Sequence, residues 1–198
     1  MNSRPFFVLT CCLCVIALAM SFYVWQVRRQ AVEESPPTPT PEVVATPSNA
    51  IRKQVTLWVA HDDIGALKAE SLSIVTSSER QRQAEDILRA LLSVYTAKGS
   101  PHSLPSGAGI KNVFFADPGL VVIDVNSEIV GGQTSGVLAE ELTVASLVQT
   151  LASNLPGFSR VKFLVDGKEG NTLAGHVDLS NVYDVAQYLD FVKQVSAP

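Results

Sequence analysis

Residues 113–125 read VFFADPGLVVIDV, and the fold turns on how this stretch is taken. Val113, Phe114 and Phe115 form one apolar run and Leu120 to Val125 form another. Between them stands Asp117-Pro118-Gly119, a turn in which proline presets φ and glycine accepts conformations closed to other residues. Two apolar runs around such a turn predict a β-hairpin.

Upstream of the hairpin, a loop through Gly99, Pro101, Pro105, Gly107 and Gly109 follows a helical pattern. Ala84, Ile87, Leu88, Leu91 and Tyr95 recur at helical spacing, and Ser78 with Gln81 three residues on has the form of a capping box. The helix is expected over about Glu79 to Thr96, with Arg80, Arg82, Glu85, Asp86 and Arg89 on its outer face. Further upstream, Val55, Leu57 and Val59 alternate with Thr56, Trp58 and Ala60, which predicts a strand. Leu67 to Val75 is a second strand, joined to the first by the polar turn at His61, Asp62, Asp63 and Gly65.

Downstream, Gly131 and Gly132 read as a loop. Leu138, Leu142, Ala145, Val148, Leu151 and Leu155 then trace the apolar stripe of a second helix, stopped by Pro156 and Gly157. Val161, Phe163 and Val165 form another strand before a turn at Asp166 and Gly167, and Val182, Val185, Leu189 and Val192 suggest a final helix. The expected class is α+β, sandwich-like: a mixed β-sheet packed by two main helices plus a C-terminal helix, preceded by one transmembrane helix.

The transmembrane expectation rests on Phe6 to Val27, a run of 22 residues without a charge, flanked by Arg4 and by Arg28 with Arg29. A helix needs about 20 such residues to cross the roughly 30 Å bilayer core. Cleaved signals have shorter apolar stretches, closed here only by Ala17 and Ala19, and this run continues through Phe22, Tyr23, Val24 and Trp25, which suit an interfacial belt. Leu9-Thr10-Cys11-Cys12 loosely resembles a lipobox, with Cys11 where a small residue is usual. The flanking arginines do not decide orientation, whereas a long polar domain after one signal-like helix favours export. Three segments result: an anchor over 1–28, a proline-rich linker over 29–51 and a domain over 52–198. The linker contains Pro36, Pro37, Pro39, Pro41 and Pro47 and reads as an extended spacer.

All three cysteines, Cys11, Cys12 and Cys14, lie in the apolar run, so the domain has neither a disulfide framework nor a thiolate metal site. After residue 50 there are 12 Lys and Arg against 16 Asp and Glu, a balance that argues against nucleic acid as a partner.

Candidate chemistry is sparse. His61-Asp62-Asp63 offers ligand and acid–base types, but three adjacent residues point in different directions and a solvated turn is the simpler reading. Ser106, His102 or His176, and Asp124 or Asp178 supply the residue types of a serine hydrolase without a nucleophile elbow. Gly175-His176-Val177-Asp178-Leu179 alternates so as to place His176 and Asp178 on one face of a short edge strand. Gly131-Gly132 and Gly107-Ala108-Gly109 lack the context of a phosphate loop. No catalytic residue, cofactor or metal is expected.

The ordered elements resemble the GerMN domain of sporulation and spore germination proteins. The resemblance rests on the opening strand Val55 to Val59, the helix ending in Leu91-Leu92, and Leu104-Pro105-Ser106-Gly107. It continues with the step Ile123-Asp124-Val125, Thr150-Leu151 in the second helix, and the strand from Val161 closing on Gly167, covering about residues 53 to 180. The chain departs from the family pattern in Val125-Asn126, where a Leu-Ser step is usual, and in having one copy of the domain. The resemblance implies a non-catalytic module of envelope or sporulation proteins, lipid-linked or tethered outside the cytoplasmic membrane. The module is also similar to the ring-building domains of secretion-type assemblies, which pack against other proteins.

The expected function is therefore a membrane-tethered, extracytoplasmic interaction or scaffold module, with an envelope or sporulation protein as partner. Trp58, which faces away from Val55, Leu57 and Val59, and Phe114 in the hairpin are the expected contacts. Two alternatives stand beside it: an envelope hydrolase or metal-dependent enzyme centred on His61, Asp62 and Asp63, and a cell-wall glycan or small-ligand binder using Trp58.

Overall fold

The computed structural model describes residues 20–23, 50–116 and 118–195. The chain divides into two compact units, Met1–Pro47 and Ser48–Pro198. In the first, only Met20 to Tyr23 are described, helical and exposed. The expected anchor, the lipobox-like cysteines and nearly all of the linker lie outside the described residues. Among the described residues, no helix is long and apolar enough to cross a membrane.

The second unit is a mixed α+β fold. It opens with a long antiparallel hairpin of β1 (Ala50–His61) and β2 (Ala66–Ser77), in which Val55 pairs with Leu72 and Val59 with Lys68. The expected strands are extended at both ends. Helix α1 (Arg80–Tyr95) follows and buries Ala84, Ile87, Leu88, Leu91, Leu92 and Tyr95 along one face. Its N-cap is Glu79 in extended conformation, without a side-chain cap. Ser78 therefore stands one residue too early to close the expected capping box, and the Gln81 side chain instead reaches Glu85 at 3.5 Å.

The decisive stretch forms β3 (Ile110–Ala116) and β4 (Leu120–Val125), antiparallel and joined by a turn at Pro118 and Gly119, the glycine at φ 68°; Asp117 of the expected turn lies outside the described residues. The expected loop at Gly131-Gly132 is instead a short helix, α2 (Ser127–Gly132), held by buried Ile129. A Cβ at Gly132 would overlap the ring of Pro105, so this glycine permits a close approach. Helix α3 (Val137–Asn154) is buried around most of its circumference, with Leu142, Val144, Ala145, Leu147, Val148 and Leu151 in the core. Leu138, expected in the apolar stripe, is 48% exposed. Its position in the first turn places it beyond the layer that covers the rest of α3.

The α2–α3 crossover returns the chain to β5 (Arg160–Val165), parallel to β4. Asp166 (φ 52°) and Gly167 (φ 75°) then make a two-residue hairpin turn into β6 (Lys168–Glu169), the left-handed pair that such turns require. β7 (Thr172–Leu173) pairs with β8 (Val177–Asp178) in a separate two-stranded ladder. β9 (Val182–Asp184) adds to β5, and α4 (Val185–Val195) closes the unit. Val182, expected in the final helix, belongs to β9.

The strands do not share one sheet. β3-β4-β5-β6, with β9 also on β5, form a mixed five-stranded sheet, and β1-β2 stand apart. The reason lies along the outer edge of β1, where helix side chains occupy the places of a neighbouring strand. Thr150 Oγ1 accepts the Trp58 N–H at 2.9 Å, and Asn154 accepts from Thr56 N at 3.0 Å while donating to Thr56 O at 2.7 Å. The Tyr95 hydroxyl accepts the Ala60 N–H at 2.9 Å. A strand edge saturated in this way cannot extend another sheet.

Candidate functional site

The polar groups collect in two clusters at the N-terminal end of α3. The first is centred on His102, which is 1% exposed. Its Nδ1 lies 2.7 Å from Asp62 Oδ1 and its Nε2 lies 2.8 Å from Thr143 Oγ1. Tyr95 packs edge-on against the imidazole, ring centroids 4.7 Å apart. Burial, above all, pushes the Tyr95 hydroxyl far above its ordinary range, so it remains a neutral hydrogen-bonding group.

Acid, imidazole and hydroxyl stand here in the sequence of contacts used by nucleophilic hydrolases. The hydroxyl is nevertheless committed. Thr143 Oγ1 donates to Ala139 O at 3.0 Å and accepts from Gln133 Nε2 at 2.7 Å, and Thr143 is wholly buried. A hydroxyl with that many partners and no exposed surface has neither a free lone pair nor a path for a carbonyl carbon. The neighbouring cavity, about 10 Å³ between Val125, Ile129, Thr143, Leu147 and Phe163, holds no more than a water.

The second cluster surrounds Glu140, also wholly buried. Its carboxylate accepts from the N–H groups of His176 (2.8 Å), Val177 (2.9 Å) and Gly136 (3.2 Å), and His176 Nδ1 lies at 2.8 Å. Burial alone would raise this carboxyl; the bonds from the His176 ring and the three backbone donors outweigh it and hold Glu140 below the ordinary Glu value. The pair ties the segment leading into β8 to the first turn of α3.

The expected residues are dispersed. In the His61-Asp62-Asp63 run, Asp63 is exposed at the turn and His61 stands 4.0 Å from both Asp63 and Glu70. Only Asp62 makes a close contact, with His102, so the turn is solvated in part and anchored in part. Among the described residues no three His, Cys, Asp or Glu side chains are placed to hold a metal ion. Ser106 is exposed. Asp124 accepts the Gly167 N–H at 2.8 Å, and Asp178 accepts from Ser180 and Asn181. His176 and Asp178 do not line one strand face, because His176 precedes β8 and turns to Glu140.

Trp58 is half-buried rather than free: its Nε1 donates to Ser153 Oγ at 2.8 Å, and its ring lies against the core. Phe114 is 43% exposed on β3. A surface groove of about 240 Å³ between α1 and the start of β3 offers one charged lining residue, Arg89, already paired with Glu85 and Asp86. Sequence reading missed Glu140, Thr143, Thr150 and Asn154. Their signal was available, since polar residues inside an otherwise apolar helix need partners.

A family profile described as Germane, sporulation and spore germination, matches residues 37–171. The chain belongs to the Germane family. Among solved structures, the Germane fold seen here is similar to the tandem GerMN domains of the sporulation protein GerM from Bacillus subtilis. The identity is 18% and the TM-score 0.50, over 68% of this chain and 46% of that one. The first GerMN domain of the same protein matches at 20% identity and TM-score 0.48, over 67% of this chain and 97% of that one. No curated protein sequence matches the chain.

Proposed function

We propose that this Germane domain is a non-catalytic interaction module, displayed outside the cytoplasm on a membrane-spanning N-terminal segment, with an envelope or sporulation protein as its partner. The observation that carries the reading is the commitment of the buried members of both polar clusters. His102, Thr143 and Glu140, all buried, spend their hydrogen bonds on neighbouring side chains and on the backbone, so they act as internal ties. The uncharged run Phe6 to Val27 and the proline-rich spacer support the tether. Phe114, exposed on β3, and the half-buried Trp58 on β1 are the proposed apolar contacts.

Two measurements on the full chain in its native membrane test this. A membrane-impermeant maleimide should label a cysteine introduced at Ser73→Cys in intact cells; labelling only after lysis refutes the topology. Phe114→Arg should abolish recovery of the envelope protein that the unaltered chain retains on cross-linking. Unchanged recovery from both Phe114→Arg and Trp58→Ala removes these contacts from the reading.

A further inference from the structure

The charges of the unit Ser48–Pro198 are divided between its two ends. At one end meet the starts of β1, α1 and β5 and the ends of β2, β3 and α3. Arg52 pairs with Val75 across the hairpin, Arg80 lies 4.2 Å from the centre of the Phe115 ring, and its guanidinium donates to Pro156 O at 2.6 Å. This end carries Arg52 and Lys53 near the start of β1, Arg80 opening α1 and Arg160 opening β5. Among the described residues, none of the four meets a carboxylate. Lys53 and Arg160 donate to neutral acceptors, Gln83 at 3.3 Å and Pro118 O at 2.9 Å. The carboxylates nearby are engaged otherwise, Glu79 with Arg82, Asp86 with Arg89 and Asp184 with the Ala186 N–H. The first turn of α1 holds no acidic residue, so Arg80 and Arg82 stand where the helix itself disfavours cations.

The opposite end, formed by the β1–β2 turn and the ends of β4 and β5, carries Asp62, Asp63, Glu128 and Asp166, all exposed. Of these, only Asp166 meets a lysine or arginine among the described residues, Lys111 at 2.9 Å. A body with cations at one end and carboxylates at the other is oriented by an external field.

We infer that the end carrying Arg52, Arg80 and Arg160 docks on anionic lipid headgroups, so that the domain stands on the membrane with its β1–β2 turn outermost. The inference rests on the tethered reading above and adds a second contact with the bilayer. Two features select a lipid surface. Its charge is complementary, and the chain enters β1 at Ala50, on this same end, with 22 residues between it and Val27 at the close of the uncharged run. A tethered domain meets the headgroups at high effective concentration, so a few guanidinium–phosphate contacts suffice where a free domain would stay in solution. The same surface repels the acidic end, which makes the attraction selective for one orientation.

The experiment reconstitutes the full chain, with Cys11, Cys12 and Cys14 replaced by alanine, into vesicles of phosphatidylcholine with or without phosphatidylglycerol. A fluorescent donor is placed at Ser78→Cys or at Ala97→Cys, both exposed and roughly 25 Å apart along α1, and acceptors are placed on the lipid headgroups. The ratio of energy transfer from Ser78→Cys to that from Ala97→Cys should rise several-fold on adding phosphatidylglycerol and fall back at high salt. Arg52→Glu with Arg160→Glu should abolish the rise. Arg80→Gln should reduce it, with circular dichroism checking the fold because Arg80 also packs on Phe115. Lys98→Glu with Lys168→Glu, an equal change of net charge at the other end, should leave the rise intact. No rise with phosphatidylglycerol, or equal loss from the Lys98 and Lys168 exchanges, would overturn the proposal. So would loss caused by inorganic phosphate but not by chloride at matched ionic strength, which marks a site for the free anion. Failure of the tethered reading shows separately, as a chain that washes off both kinds of vesicle.

Discussion

Glu140 is a charge placed where charges are rarely tolerated, and its surroundings explain why it is kept. A carboxylate with three backbone donors and an imidazole gains more than burial costs, and its lowered pKa expresses that balance. A carboxyl whose folded pKa lies below its unfolded value stabilises the fold above the ordinary Glu range, and that stability is lost as pH falls through the folded value. Glu140→Gln should therefore destabilise the domain by about 2–3 kcal/mol at neutral pH, since an amide presents N–H to donors that need an acceptor. It should also flatten the loss of stability as pH falls below the ordinary Glu range. Urea melts across that range read both effects. Thr143→Val should cost about 1–3 kcal/mol by stranding His102 and Gln133, and thermal unfolding measures it. Gly132→Ala should cost about 1–3 kcal/mol through overlap with Pro105, and the same melt reports it.

Hydrophobic period made the elements legible: Val55, Leu57 and Val59 are buried as their alternation required, and the stripe from Ala84 to Tyr95 faces the core. The hairpin in 113–125 followed from its turn chemistry. What stayed hidden depended on partners distant in sequence. The polarity of Thr150 and Asn154 shows that they need partners, but nothing local names the partner as β1, more than 90 residues earlier. Likewise Asp62 resembles any turn aspartate until His102 is seen beside it, and the two glycines ending α2 mask a helix fixed by Ile129. The edge seal makes a prediction at this scale. Thr150→Val should speed amide exchange at Trp58 and Tyr95→Phe should speed it at Ala60, each costing about 1–2 kcal/mol, as followed by NMR-detected hydrogen exchange.

At the scale of the whole molecule, the unit Ser48–Pro198 contains its own core, from Val55 on β1 to Tyr188 on α4. Residues 48–198 expressed alone should unfold in one cooperative transition, with coincident far-ultraviolet circular dichroism and tryptophan fluorescence, the latter reporting Trp58 at the β1–α3 junction. The seal on β1 also sets an order of events. The hairpin of β1 and β2 is local and can form early, yet Thr150 and Asn154, which close its outer edge at Trp58 and Thr56, arrive only when α3 has been synthesised and has docked. Until then the outer edge of β1 is open at Thr56 and Trp58, Ala60 being closed by Tyr95 of α1. The nascent chain thus passes through a stage in which the outer edge of β1 is open, and truncation before Val137 leaves it there, prone to aggregate.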